Sequence, residues 1–293
     1  MRVYVEPPDV KSRSIGRIAN ELKKYAPAGV EFSSRIEDAD LVVLHIIGRH
    51  GQNVEKARAC LDRGQRYVVN QYCLRSTQKS STNDWRWLWD HAALVWSYYN
   101  LNGCIREDRG TGFLTNFYHS PLGADATVFH PDTRVPKYTY VIGTTGFGWL
   151  TEGIREAGHA TRAVGKRMFH LGPELHRGDH ITCAVGMSDA ELASWYSQCQ
   201  YVSGLRRIEG FELPCAEGIL CGARPILFDR HHYRQWFDEF GIFVPEVSRD
   251  AVIAQLVEIF SQPPVPISDD ERQYAVERFN WKTIVTEYWR RCL

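Results

Sequence analysis

The sequence predicts an α/β protein made of two Rossmann-like units, and three observations carry that prediction. Short apolar, β-rich runs alternate with helical patterns, which is how a parallel sheet reads. The run "HPDTRVPK" at 130–137 interrupts the alternation with two prolines and no apolar periodicity. The alternation then starts again. A chain of 293 residues also suits two modest domains of roughly 150 residues each. In such sheets a ligand sits beyond the carboxyl ends of the strands, so a cleft between the units is the expected place for function.

The elements follow in order. "RVYV" (2–5) is a first strand, and Ile15, Ile18, Ala19, Leu22 and Tyr25 fall on one face of a helix. "LVVLHII" (41–47) is a doubly buried strand, 52–63 a helix and "RYVV" (66–69) a strand. A Trp-rich helix around 84–91 leads into "ALVWS". After the linker, "YTYVIG" is a strand, 149–157 a helix, and "ATRAVG" (160–165) and "HITCAVG" are strands. Ser188 and Glu191 have capping-box spacing for a helix from 189 to about 199. "YVSG" follows, then a helix opened by Pro214, the strand "RPILF", and helices near 248–261 and 268–291. The expected domains are 1–130 and 137–273, with a last helix, 274–293, crossing back to the first domain.

Composition narrows the class. Lys plus Arg and Asp plus Glu both total 35, and a balanced chain does not advertise a polyanionic partner. A mild basic bias in residues 1–80 reads as a solvated face. The 8 cysteines include no C-x-x-C pair and several lie in apolar runs such as "ILCGARPI", so they read as buried hydrophobes in a reducing compartment. The start "MRVYVEPPD" lacks the apolar stretch of a signal peptide, and "LVVLHII" is too short to span a bilayer. No transmembrane segment and a cytoplasmic location are expected.

The informative string is "RRIEGFELPCAEGILCGARPI", 206–226. Glu209 and Glu217 are separated by seven residues and straddle a helix start. Pro214 suits the first turn, where its missing N–H costs nothing. Gly210 permits close backbone approach, so the amides from Gly210 to Leu213 can point at a ligand, and the positive end of the helix dipole suits a diphosphate. Glu217 could accept hydrogen bonds from ribose hydroxyls and Glu209 from a sugar. Residue by residue, the string also fits a plain turn, a dipole-favoured carboxylate and Gly222 as a C-cap.

As one string it resembles the E-x7-E region of the retaining glycosyltransferases of family 4, usually close to "EGFGLPxxEAMACGxPVI". "SDAELASWYSQCQYVSGLRRIEGF", "PLGADATVFHP" (121–131) and "FNWKTIVTEYW" (279–289) resemble three further motifs of that family, in the right order. The resemblance implies a GT-B fold, with an acceptor domain first and a donor domain second. It implies that Glu209 contacts the donor sugar and Glu217 the nucleotide ribose. Gly210, Phe211 and Leu213 would offer main-chain donors, and Val185 to Met187 would lie against the base. The family's second domain opens with Arg and Lys that neutralise the diphosphate. Here "VIGTTGFGWLTEG" puts Thr144 after Gly143 at the Arg position, with no Lys. Arg206 and Arg207 are the first substitutes, Lys166 and Arg167 the second. In the first domain, "RSIGRIANEL" keeps only Gly16 and Arg17 of the family loop. A common family His falls near Tyr72 and is absent, so the acceptor side is reduced to Arg17, Tyr72 and His45.

Rival signals are weaker. "DAD" (38–40) resembles a metal motif but precedes its strand, and His231–His232 lacks a third ligand for a catalytic zinc. His45 lies inside an apolar strand and reads as a satisfied core histidine ahead of a base. Trp85, Trp87, Trp89 and Trp96 could stack on bases or sugars, although helix packing explains most of them. The resulting expectation is retaining transfer of a hexose from a UDP- or GDP-sugar, without metal or other cofactor. The acceptor is a saccharide, a small molecule or a hydroxymethylated DNA base. A catalytically silent sugar-nucleotide-binding module is the other reading that the lost Arg/Lys pair suggests.

Overall fold

In the computed structural model the described residues are 1–6, 13–46, 50–72, 82–102, 113–147, 151–173, 178–207 and 209–293. They form two compact units, Met1–Leu122 with Trp281–Leu293, and Gly123–Asn280. Each contains a sheet of six strands among the described residues, and every strand pairing within them is parallel.

In the first unit the order is β2-β1-β3-β4-β5-β6. The strands are β1 (Arg2–Val5), β2 (Glu31–Phe32), β3 (Leu41–Ile46), β4 (Arg66–Gln71), β5 (Leu94–Ser97) and β6 (Phe117–His119). Every residue of β3 is buried, as expected of a strand covered on both faces. The Arg13–Lys24 helix buries Ile15, Ile18, Ala19 and Leu22 at helical spacing. The Trp281–Cys292 helix belongs to this unit. Its Trp289 indole donates to Leu22 O at 2.9 Å, its Tyr288 hydroxyl reaches Asn70, and Trp96 packs edge-on against Tyr288. In the Thr82–Asp90 helix Trp85 and Trp89 are buried. Trp87 is partly exposed under the Arg58 guanidinium.

In the second unit the order is β12-β11-β10-β7-β8-β9. The strands are β7 (Tyr140–Thr145), β8 (Met168–Leu171), β9 (Ile181–Ala184), β10 (Cys199–Gly204), β11 (Arg224–Phe228) and β12 (Ile242–Val244). Counted from β7, this is the 3-2-1-4-5-6 order of dinucleotide-binding folds. The order reverses between β7 and β10, and that pair of carboxyl ends is the switch point.

Three expectations need correction. "ATRAVG" is not a strand: Ala160 to Ala163 finish the Ile154–Ala163 helix, where Ala160 and Thr161 are fully buried and the Thr161 hydroxyl donates back to Gly158 O. Burial on a helix face, not β-branching, decides this segment. The helix expected at 268–291 is two, Asp269–Arg278 and Trp281–Cys292, broken where Phe279 inserts beside Phe211, Phe237 and Phe240. The units divide at 122/123 and 280/281 rather than at 130–137 and 274. Residues after 122 pack on the second unit, with Ala124 N donating to Phe279 O, Asp132 N to Ser197 Oγ, and Phe129 against Tyr196.

Candidate functional site

At the switch point the chain leaves β7 through Gly146, whose φ of +132° lies where side chains are strained. A Cβ there would stand 2.5 Å from both Glu152 oxygens, and Phe147 N donates to Glu152 Oε2 at 3.0 Å. The segments after β7 and β10 are joined. Glu152 and Arg206 form an antiparallel bridge, Gly153 N donates to Leu205 O, and Arg207 N donates to Thr151 O.

Arg206 is the hub. Its Nη2 donates to Thr145 Oγ1 at 2.8 Å and to Thr145 O at 3.1 Å, and its Nε lies 3.5 Å from Glu212 Oε2. Its side chain is 21% exposed, so it meets both the buried carboxylate and the solvent-facing end of the sheet. Glu212 is 1% exposed. Burial pushes its carboxyl up to about 7; Arg206 opposes that rise, while Glu209 and Glu152 add to it. Tyr233 OH lies 3.1 Å from Glu212 Oε1 and 3.0 Å from Arg206 O. Glu209 is partly exposed and its main chain is hydrogen-bonded to the His232 ring, which burial holds down to about 4.

Arg207 is turned elsewhere. It lies 3.2 Å from Glu156 and 3.3 Å from Glu246, with its guanidinium over the Phe228 ring. Of the two arginines in the string, Arg206 is the one tied to the end of β7.

The Leu213–Cys221 helix starts beside this cluster with Pro in its first turn, no side-chain cap from Glu212, and Gly222 in the left-handed conformation at its end. Within that first turn Pro214 has no N–H, and Cys215 N donates to Glu212 O. Phe211 is 5% exposed and packs on Phe237, Phe279 and Trp236, so its side chain anchors the loop while Gly210 and Leu213 flank it. Glu217 is 3% exposed, and its Oε2 accepts from the Tyr196 hydroxyl at 2.9 Å. Glu217→Ala would therefore leave a buried hydroxyl without its acceptor, at about 1–3 kcal/mol. Glu217→Gln keeps the shape and an acceptor for Tyr196. If Glu217 meets the ribose, Glu217→Gln should weaken UDP binding roughly tenfold, the loss of one charge-assisted hydrogen bond, at an unchanged melting temperature. Unchanged affinity in calorimetric titration would remove Glu217 from the site.

Other expected donor residues fall differently. A Cβ on Gly143 would meet Cys199 Sγ and Trp195 at 2.8 Å, so this glycine serves packing under Trp195. Thr144 is fully buried with its hydroxyl 2.9 Å from His170 Nδ1; Thr145, one residue on, is the one that meets Arg206. Lys166 and Arg167 precede β8 and so stand at the amino ends of the strands. Lys166 Nζ donates to Phe260 O, and Arg167 lies over the Tyr140 ring. A strand at "ATRAVG" would put them beyond its carboxyl end, whereas the helix that ends at Ala163 puts them just before β8. Val185 and Met187 follow β9 at the carboxyl edge, and Val185 is 71% exposed.

In the first unit, His45 is 4% exposed at the end of β3, with Nδ1 2.9 Å from Tyr72 OH. Burial, aided by Lys23, holds its imidazole down to about 4, so it is neutral. Its main-chain N–H donates to Glu6, which pairs with Lys56. Gly16 and Arg17 lie in the first half of the Arg13–Lys24 helix. "DAD" stands at the amino end of β3, where Asp40 accepts from Arg2 N. Among the described residues no three His, Cys, Asp or Glu side chains gather as a metal cage, and no helix is long and apolar enough to cross a membrane.

No family model matches the chain, and no curated protein matches it by sequence. Solved structures do. HepE of Anabaena, in complex with UDP and glucose, superposes with a TM-score of 0.75 at 12% identity, covering 99% of this chain and 98% of that one. Sucrose-phosphate synthase of Thermosynechococcus elongatus gives 0.68 at 15% identity over 86% and 72%. AviGT4, a glycosyltransferase involved in avilamycin A biosynthesis, gives 0.65 at 14% over 99% and 96%. The fold is that of the GT-B glycosyltransferases. Thr145, Gly146, Glu152, Glu212 and Tyr233 were not expected in the site. One signal was present for Glu212, which stands where the family string quoted above has glycine.

Proposed function

We propose that the chain is a retaining glycosyltransferase that moves a hexose from a nucleotide sugar to a hydroxyl acceptor. The observation that carries this reading is Arg206 at the switch point, one strand end from the uncapped helix that bears the Glu209–Glu217 spacing. Departure of the nucleotide builds charge on the diphosphate, and stabilising that charge is the main task of such a site. Arg206 and the amides around Gly210 to Leu213 supply it, Glu209 orients the sugar, and Glu217 holds the ribose. No protein nucleophile is needed, because the leaving phosphate can accept the acceptor's proton on the same face. The protein contributes positioning and fixed charge. The HepE structures contain UDP, UDP with glucose, or UDP-glucose, which favours UDP over GDP here. The first unit would hold the acceptor, beside neutral His45 and Tyr72.

A thermal-shift panel of UDP, GDP, ADP and dTDP tests the reading. A nucleotide at 100-fold its Kd adds about 2.7 kcal/mol to the folded state, so the preferred one should raise the melting temperature by several degrees, with or without EDTA. Four flat responses would sink the donor reading. Activity lost to EDTA and restored by manganese would instead bring "DAD" or His231–His232 into play. Arg206 and Arg207 are both already paired with carboxylates, which favours a second, silent-module reading; UDP binding without hydrolysis or transfer of UDP-glucose would support it.

A further inference from the structure

Glu212 has two complete sets of partners, and they require different protonation states. As a carboxylate it depends on Arg206, 3.5 Å away. The Tyr233 hydroxyl has one proton and two acceptors in reach, Arg206 O at 3.0 Å and Glu212 Oε1 at 3.1 Å. If Glu212 carries a proton on Oε1, it donates to Tyr233 and Tyr233 donates to Arg206 O, and the chain is satisfied without the guanidinium. A carboxyl that is 1% exposed must have one of these two arrangements, since an unpaired buried charge is costly.

We propose that Glu212 is a positioning residue that competes with the donor's diphosphate for Arg206, so that donor binding draws one proton from solvent onto Glu212. The inference rests on the donor reading above. In the free protein Glu212 holds Arg206 against the end of β7, pre-aligned and screened. An arriving diphosphate takes over the guanidinium's charge, and the carboxylate it displaces is neutralised by a solvent proton, with no other bond made or broken. The groups facing Glu212 favour that exchange. Glu209 from its own loop and Glu152 from the segment after β7 are acidic, Tyr233 from the His231–Phe237 helix can accept the acid's hydrogen bond, and Cys215 lies in the first turn of the following helix. Arg206 is the cation that holds the carboxyl down, and neutralising it leaves burial to act alone.

The test is calorimetric titration of the intact chain with UDP-glucose, whose diphosphate does not titrate near neutrality, in buffers of different ionisation enthalpy. With the free carboxyl at about 7, the parent should take up roughly three quarters of a proton at pH 7.5, and its affinity should fall by up to about tenfold per pH unit above 7. Glu212→Gln, which can donate to Tyr233 as the acid does, should bind UDP-glucose with no such uptake and a flat profile from pH 6 to 8.5. At pH 8.5 it should bind more tightly than the parent. Uptake and slope that are the same in both proteins overturn the proposal and leave the donor reading intact. Failure of the parent to bind UDP or UDP-glucose overturns the donor reading and the proposal with it. If Glu212→Gln unfolds, Tyr233→Phe serves instead. It removes the acceptor for the acid's proton, so the uptake should shrink while UDP-glucose still binds, and undiminished uptake overturns the proposal.

Discussion

Arg206→Ala should lower turnover of a sugar nucleotide by about ten- to hundredfold, the loss of one charged contact of about 1.5–3 kcal/mol to the leaving diphosphate. Arg206→Lys should recover only part of it, because an ammonium cannot reproduce the two-pronged guanidinium that spans Thr145 and Glu212. Arg207→Ala should act on stability first, since its partners are Glu156, Glu246 and the Phe228 ring. Stability separates the two as well. Glu212 has a raised carboxyl in the fold, so it costs stability as pH climbs from the unfolded value near 4.5 through about 7. Without Arg206 that carboxyl rises further, and the melting temperature of Arg206→Ala should fall below the parent's increasingly above pH 7. Parent-like turnover in Arg206→Ala would hand the role to another cation.

Gly172→Ala should be the most damaging single methyl in the second unit. A Cβ there would lie 2.1 Å from Gly146 O and 2.6 Å from His170 Nε2. Neither can retreat: one is backbone in a left-handed turn, and the other is a ring 1% exposed whose Nδ1 is bound to Thr144. The cost should reach about 3 kcal/mol, the upper end for overpacking. Because the displaced turn carries Thr145 and the Glu152 contact, UDP affinity should fall with it. Gly165→Ala is the control. Its φ is +64° but a Cβ would touch nothing within 4 Å, so it should cost about 1 kcal/mol and leave UDP binding alone. Equal effects of the two in thermal and binding measurements would contradict the close approach of Gly146 and Gly172.

Features with local chemical punctuation were legible in the amino-acid order. Ser188 and Glu191 form both halves of a capping box, Pro214 opens its helix, and Gly222 closes it in the left-handed conformation. The burial of β3 followed from an apolar run that only His45 interrupts. Elements without such marks were missed. β2 is two residues long and β6 three, too short for a period to show. The site was half legible for a related reason. The spacing of Glu209 and Glu217 is local, whereas Glu152 and Arg206 meet only because β7 and β10 pair. Thr144 and Thr145 differ by one place in a strand, and one place is a change of face; choosing between them needs to know which face the His170 side of the sheet covers.

Because of the Trp281–Cys292 helix, the first unit is begun before the second and finished after it. Trp281, Ile284, Val285, Tyr288, Trp289 and Cys292 are buried there, and Trp289 closes onto Leu22 O. Until those residues emerge, Leu22, Asn70 and Trp96 lack the partners that cover them. Domains ordinarily complete in the order in which the ribosome delivers them; here the second unit has its whole chain before the first does. The nascent first unit must wait with an open apolar flank, and a stop codon ahead of Trp281 would strand it in that state.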